Sequence, residues 1–436
     1  MRGQTPDRAD EENAAGGRGR RTGLFLWAVV LLAILLRIAA AEWAAGGLDR
    51  PLAGDEPDYY GRAVSLAEGR GVAGADGRPS SARAPGVPLA LAALFLVTGP
   101  DVAGGRLLMC VLGALLVPAC YLLGRALAGR RAGVICAVVA AFFPNWVRYS
   151  GDLLTDLSSA TATALFAWAL VGGWRRNSLP WYALAGLIGG VGALFRPTGL
   201  VFLPGALLWI FLVAPGWRRR FAASALVCAA FAAALAPWAA RNASLQGEFV
   251  PVSTSGGTEL YIGNNPRATG ILARDFRVFA EELCEIHPRD LYPSEAERSG
   301  LFRRDAVDFI RENPGRFLYL SAVRLGQFWK VYSPRVPLWQ SVLTIGSFGL
   351  ALPLAALHAA RFGWRRGPAM LFVILIASQT AVHTVFTSAI RYRIPIEPLV
   401  VALAAGGVAG LLERRSIDRA VTARLDEERV DGHSVF

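Results

Sequence analysis

Apolar residues in this chain fall in long blocks separated by short polar stretches, near 24–43, 107–124, 132–148, 153–172, 181–195, 199–213, 221–240, 338–357, 369–387 and 396–411. Blocks of roughly 16–25 residues have the length needed to cross a hydrocarbon core as a helix. A bilayer admits only helices or closed barrels, because backbone polar groups find no water there. The alternating ten-residue segments of barrel strands are absent. The expected fold is an all-α polytopic membrane protein with about 10 transmembrane helices, seven before a long polar segment and three after it.

The polar stretches then divide the chain. Residues 1–22 are Gly/Arg-rich and read as a disordered cytoplasmic tail; the apolar run after them is too long for a signal peptide and stays as helix one. Residues 23–240 form a membrane module with an outer loop at 47–106. Residues 241–336 form an extracytoplasmic segment, 337–411 carry the last helices, and 412–436 form a cytoplasmic tail. The basic loops 124–131, 174–178, 217–220 and 361–367 all lie inside on this path, as the positive-inside rule requires. That holds only if the apolar stretch 85–99, with a core of about 13 residues, dips into the membrane without crossing. In 241–336, short β-prone runs alternate with Gly, Asn and Pro turns, so a small outer-face α+β segment is expected. Within it Ser294 and Glu297 make a capping box for a helix that stops before Pro314, and an interfacial helix follows at 316–334.

Composition agrees: 54% of residues are hydrophobic and 18% charged, against about 25% charged in soluble domains. The net charge of +12 does not point to nucleic acid, because the basic residues sit in loops between apolar blocks. Five cysteines show no paired spacing and no metal motif; Cys284 and His287 make at most half a zinc site. Asn242-Ala-Ser fits a glycosylation acceptor but abuts the membrane. No strand–GxGxxG–helix unit suggests a nucleotide.

Candidate chemistry lies on the outer face. Asp55 and Glu56 follow helix one, and Asp152 and Asp156 form a second acidic cluster. Arginines stand against them at the membrane edge: Arg83, Arg196, Arg391 and Arg393. Charges at such depth are costly, and they mark a function or a structural pairing with acids or carbonyls. Arginine binds phosphate oxygens bidentately, so a lipid phosphate is the natural polyanion. Carboxylates beside phosphate-binding arginines suit the transfer of a sugar from a lipid phosphate. The arginines stabilise the leaving phosphate, and a carboxylate takes the proton of the attacking hydroxyl. Tyr59 and Tyr60 would line the substrate.

The stretches "GDEPDYY", "YSGDLLTD", "FRPTG", "PWAARN", "VPVSTSGGTELYIGNNPRATG" and "RYRIPIEP" resemble the recurrent motifs of the glycosyltransferase-C superfamily. The similarity is greatest to its bacterial members like family 39, related to protein O-mannosyltransferases and the aminoarabinose lipid A transferase. The resemblance covers about residues 24–411. It implies a seven-helix module, Asp55 as catalytic carboxylate with Glu56 as companion, Asp156 as the second outer-loop acid, and Arg83, Arg391 and Arg393 on the donor phosphate. Arg196 is added from its position alone. It also implies a polyprenyl-phosphate sugar as donor, inversion at the anomeric carbon, and an active site on the extracytoplasmic (periplasmic) face of the cell (inner) membrane. The acceptor would be a lipid, glycan or protein. No cofactor is called for; some superfamily members use a divalent cation, and that point stays open. The competing classes are a transporter or lipid flippase for an anionic lipid-linked sugar, and a scaffold.

Overall fold

The computed structural model describes residues 6–272, 275, 283, 285–288, 291–292, 294–332, 338–365 and 367–432. The described secondary structure is helical throughout: α1 (Pro6–Ala39), α2 (Glu56–Ala67), α3 (Gly86–Thr98), α4 (Val102–Ala114), α5 (Leu116–Phe142), α6 (Pro144–Arg148), α7 (Asp156–Arg176), α8 (Leu179–Phe195), α9 (Phe202–Val213), α10 (Trp217–Gln246), α11 (Gly256–Gly263), α12 (Glu295–Glu312), α13 (Pro314–Trp329), α14 (Leu338–Gly363, with two π turns), α15 (Gly367–Val385) and α16 (Glu397–Gly432). Seven helical stretches are long and apolar enough to cross a membrane, and three shorter apolar helices, Gly86–Thr98, Leu179–Phe195 and Pro197–Val213, accompany them. One of the seven, Val102–Phe142, spans 41 residues and is two arms. Its helical geometry fails at Ala128 and at Gly129, which sits at φ +82°. Beyond the break the chain doubles back: a Cβ on Gly124 would stand 2.8 Å from the Ala132 carbonyl, and one on Gly133 2.8 Å from that of Tyr121. Glycine is what lets these two backbones touch.

Two expectations change. The α+β segment is helical: among the described residues of 241–336 there are α11, α12 and α13 and no strand, and the one extended pairing among the described residues is an isolated bridge between Ala73 and Pro79. The β-prone run at 258–262 lies instead within α11, which packs against α12, so tertiary burial overrides local propensity. The tail, expected to be disordered, is helical from Pro6 and continuous with the first span; extending an existing helix avoids the costly nucleus. The stretch 85–99 forms α3, whose 13 residues rise about 20 Å, short of the roughly 30 Å core. It packs against α2 through Val87, Leu91 and Phe95. Helix α13 has the two faces expected of an interfacial helix: Leu320, Arg324 and Phe328 are buried, while Leu318, Tyr319 and Leu325 are exposed.

Buried arginines hold this bundle by its helix ends. Arg37 on α1 donates from Nη2 to the Ala140 carbonyl at 3.0 Å and from Nη1 to those of Ala33 at 3.1 Å and Ala141 at 3.4 Å. Pro144 has no N–H for Ala140, so the α5 terminus lacks a partner that the guanidinium replaces. Arg324 on α13 donates from Nε to the Thr384 carbonyl near the end of α15 at 2.7 Å and from Nη1 to the Gly263 carbonyl at the end of α11. Arg393 donates from Nη1 to the Phe328 and Lys330 carbonyls at the end of α13, at 3.1 and 2.9 Å. In each case a cation meets the negative end of a helix dipole. Replacing Arg37 with Leu is expected to cost on the order of 2 kcal/mol, because carbonyls are left bare in an apolar setting. Thermal unfolding in detergent should show a lowered Tm; an unchanged Tm would remove the capping role.

Candidate functional site

The site begins at the turn that starts α2. Gly54 stands at φ +61°, a conformation open to glycine, and Pro57 pre-sets the first helical turn. Asp55 occupies the N-cap position, where an aspartate ordinarily accepts an N–H of the first turn. It makes no such bond. Both its oxygens point to arginines instead: Oδ1 accepts from Arg83 Nη2 at 3.0 Å and Oδ2 from Arg391 Nη2 at 2.6 Å. Arg83 comes from the loop before α3, and Arg391 from the 3-10 turn Ile390–Ile396 that leads into α16. Burial pushes the Asp55 carboxyl up, but the charges of Arg83 and Arg391 outweigh it and hold the group below its ordinary value.

Around this clamp lie two further pairs. Asp58 accepts from Arg83 Nε at 2.7 Å and from Arg62 Nε at 2.8 Å. Asp156, at the start of α7, accepts from Arg196 Nη1 at 2.6 Å. Tyr392 joins them: the Arg196 guanidinium lies 4.7 Å and that of Arg391 5.8 Å from its ring centre. Tyr59 lies under Arg83 at 5.7 Å and within electrostatic reach of Asp55, Arg196 and Asp156. The structure therefore brings Asp55, Asp156, Arg83, Arg196, Arg391 and Tyr59 together at one end of the bundle.

It places Glu56, Arg393 and Tyr60 elsewhere. Glu56 is buried and saturated. It accepts from both Nη atoms of Arg50 at 2.9 and 3.0 Å, from Arg106 Nη2 at 3.2 Å, and from the N–H groups of Ala53 and Leu153 at 3.0 and 3.1 Å. Burial raises this carboxyl, but Arg50 and the two backbone donors, with the charge of Arg106, keep it below its ordinary 4.5. Arg393 pairs with Glu397 at 2.9 Å, with both side chains fully buried, and Trp146 donates to the other Glu397 oxygen at 2.7 Å. Tyr60 packs edge-on against Phe95 in the α2–α3 apolar cluster.

Several contributors are not singled out by the sequence. Arg50 and Arg106 look like loop charges, and their shared partner Glu56 appears only once α4 folds under the loop. Asp58, which reads as a solvated or capping residue, is engaged by two arginines; its spacing to Arg62 was the available signal. Asn242 is buried with Nδ2 donating to the Val250 and Val252 carbonyls, so it is occupied structurally. Cys284 lies outside the described residues. His287 donates or accepts with Asp305 at 2.8 Å, away from the site acids.

A divalent cation does not fit these donors. Among the described residues no group of three ligating side chains could hold a metal, and each site acid, Asp55, Asp58 and Asp156, already faces a guanidinium within 3.0 Å. A metal would have to displace an arginine to find its oxygens.

The fold has known counterparts. Residues 82–240, a little over a third of the chain, match the family model of dolichyl-phosphate-mannose-protein mannosyltransferases. Among solved structures, the chain is similar to the archaeal oligosaccharyltransferase AglB from Archaeoglobus fulgidus in complex with an inhibitory peptide and a dolichol-phosphate. The TM-score is 0.59 at 15% identity, covering 92% of this chain and 52% of that one. The same oligosaccharyltransferase tethered to an acceptor peptide gives 0.55 at 16% identity, covering 91% and 51%. ArnT from Cupriavidus metallidurans bound to undecaprenyl phosphate gives 0.43 at 13% identity, covering 88% and 78%. No protein of curated function matches the chain by sequence. The protein is a membrane protein with the glycosyltransferase-C fold, as its motifs suggested. It spans about half the length of the archaeal structures it matches.

The Glu56 assembly yields a pH prediction. A carboxyl whose folded value lies below 4.5 stabilises the fold fully above 4.5, and that contribution is lost as pH falls through 4.5 toward the folded value. The Tm of the wild type should fall below that pH, and Glu56→Gln should flatten this dependence. Gln at this position leaves buried Arg106 short of a counter-charge, while Arg50 keeps Asp152 at 2.6 Å, and the change is expected to cost about 3 kcal/mol at neutral pH. Thermal unfolding across pH 3–8 (~5 units) checks both.

Proposed function

We propose that this protein transfers a sugar from a polyprenyl-phosphate donor to an acceptor hydroxyl, with Asp55 as the general base. The carrying observation is the Asp55 carboxylate gripped by Arg83 and Arg391, half-exposed at the end of a glycosyltransferase-C bundle: their side chains are 29%, 32% and 30% exposed. The match of residues 82–240 to a family named for a polyprenyl-type phosphate donor supports the choice of donor. The basic loops support an extracytoplasmic active site in the cell (inner) membrane.

With both oxygens held, Asp55 is a weak base. The donor phosphate changes that. It draws Arg391 off Oδ2, while Arg83 keeps Oδ1 and so the orientation of the carboxylate. Arg196, beside the same Tyr392 ring, adds a second positive charge for the phosphate. The acceptor oxygen then attacks the anomeric carbon from the face opposite the phosphate, and its proton goes to Asp55 Oδ2. The bond from the anomeric carbon to the phosphate oxygen breaks, and the electron pair leaves with the polyprenyl phosphate, where the guanidinium groups stabilise it. The products are an inverted glycoside and the lipid phosphate. Glu56 and Arg393 act on this reading through architecture, Glu56 by fixing the turn that carries Asp55 and Arg393 by fixing the turn that carries Arg391.

Two measurements test the mechanism. Asp55→Asn should lower kcat by about 10²–10⁴-fold with little change in donor affinity; transfer at the wild-type rate would remove Asp55 as base. The acid limb of kcat/KM reports the free enzyme, where the arginines hold Asp55 low, and that of kcat reports the donor complex. Loss of one arginine and arrival of the phosphate's negative charge should place the kcat limb at higher pH. Coincident limbs would contradict the release step. Movement of the lipid across vesicles by a protein that transfers no sugar would instead mark a flippase.

A further inference from the structure

Glu259 is a carboxylate of the same end of the bundle that the mechanism above leaves unused. It projects from the first turn of α11, and Thr387 Oγ1 donates to its Oε2 at 2.8 Å. Among the described residues nothing donates to Oε1, and no cation pairs with the group, in contrast to Asp55, Asp58, Asp152 and Asp156. Glu259 is nevertheless part of the site. Thr387 lies four residues before Arg391, and the Glu259 charge reaches the Tyr392 phenol on whose ring Arg196 and Arg391 lie. The next residue in the chain, Ser388, is buried with only 3% of it exposed, and its Oγ has no hydrogen-bond partner. The site is thus asymmetric. Its arginine-clamped side attracts an anion. Its Glu259 side repels one and offers an acceptor oxygen at Oε1.

We propose that Glu259 holds the sugar ring of the donor, its Oε1 accepting a ring hydroxyl. The proposal rests on reading the site as one for a lipid-linked sugar phosphate. An unpaired carboxylate orients such a donor in a way the arginines alone do not: phosphate toward Arg83 and Arg391, hydroxyl-bearing ring toward α11. A hydroxyl bonded to a charged acceptor discriminates strongly against a ligand that lacks it, because the buried polar partner is then left bare.

The test measures binding of two probes to the purified full-length protein in detergent: bare undecaprenyl phosphate, and undecaprenyl phosphate carrying mannose, glucose or arabinose. Wild type should bind at least one sugar-bearing lipid more tightly than the bare lipid, by roughly tenfold or more. Glu259→Gln should erase that preference while binding the bare lipid as well as wild type or better, since a repelling charge is gone. Glu259→Asp, which keeps the charge and shortens the reach, should retain part of the preference, and Arg391→Ala should weaken both probes alike. A Glu259→Gln protein that keeps the full preference overturns the proposal, as does a wild type that binds bare and sugar-bearing lipids equally; both outcomes leave the lipid-phosphate reading standing. A wild type that binds neither probe overturns that reading and this proposal with it.

Discussion

A guanidinium carries a charge that it does not give up and five N–H donors, and at membrane depth water is not there to meet them. Each arginine drawn into this bundle therefore depends on the protein for partners, and it finds most of them in one of two ways, while Nε of Arg37 and Arg106 and Nη2 of Arg393 find none among the described residues. Arg37, Arg324 and Arg393 take the carbonyls at helix ends. Arg50, Arg83, Arg196 and Arg391 take carboxylates, and Arg106 takes Glu56 together with the Leu48 and Arg50 carbonyls. The first kind ties helices together, because a carbonyl cannot be exchanged for anything else without opening the helix end. The second kind can be exchanged wherever another anion reaches it. The Arg393–Glu397 pair combines both and is closed to solvent on both sides. The Asp55 clamp is open on both, so under the proposed function the phosphate competes there and not at Arg393.

That distinction also marks how far the sequence could be read. Block lengths and basic loops are set by the bilayer alone, so the polytopic helical fold and the short α3 were legible. Asp55, Asp156, Arg83, Arg196 and Arg391 were legible as neighbours, since charge beside apolar blocks stands out, but Glu56 and Arg393 stood out equally and lie elsewhere, and Asp58 did not stand out. The pairing of these charges was not legible. Arg391 and Arg393 are two residues apart and look equivalent in "AIRYRIPIEP", yet one faces Asp55 and the other caps α13 and meets Glu397. Only the 3-10 turn, which sends alternate side chains to different sides, separates them. Asp55 and Glu56 are adjacent and chemically alike; one has two exchangeable partners, the other five donors in a closed pocket. Segment 241–336 misled because Thr, Tyr and Ile favour strands locally, whereas packing against α12 decides.

The turn at Gly54–Pro57 shows how the architecture and the site depend on each other. An aspartate at a helix N-cap would stabilise α2 by accepting one of its free N–H groups, an effect of about 1 kcal/mol. Asp55 does not serve that role, and α2 instead begins with its entry fixed by Gly54, Pro57 and the Glu56 anchor. Local stability is forgone so that a carboxylate points at two arginines rather than at its own helix. Such a departure from the cheapest local choice is expected where a side chain is held for chemistry.

The same reasoning explains why three elements far apart in the chain converge on one carboxylate. Arg83 enters from the loop before α3, Arg391 from the turn before α16, and each is fixed by a separate structural lock. The Arg83 loop is held by Ser80 and Ser81, which donate to Glu295 on α12. The Arg391 turn is held by Arg393 and Glu397. With its partners anchored independently, the clamp does not collapse when one arginine leaves Asp55, so a phosphate could displace Arg391 while Arg83 keeps the carboxylate in place. A single loop bearing both arginines would move as one, and the release of one oxygen would release the other.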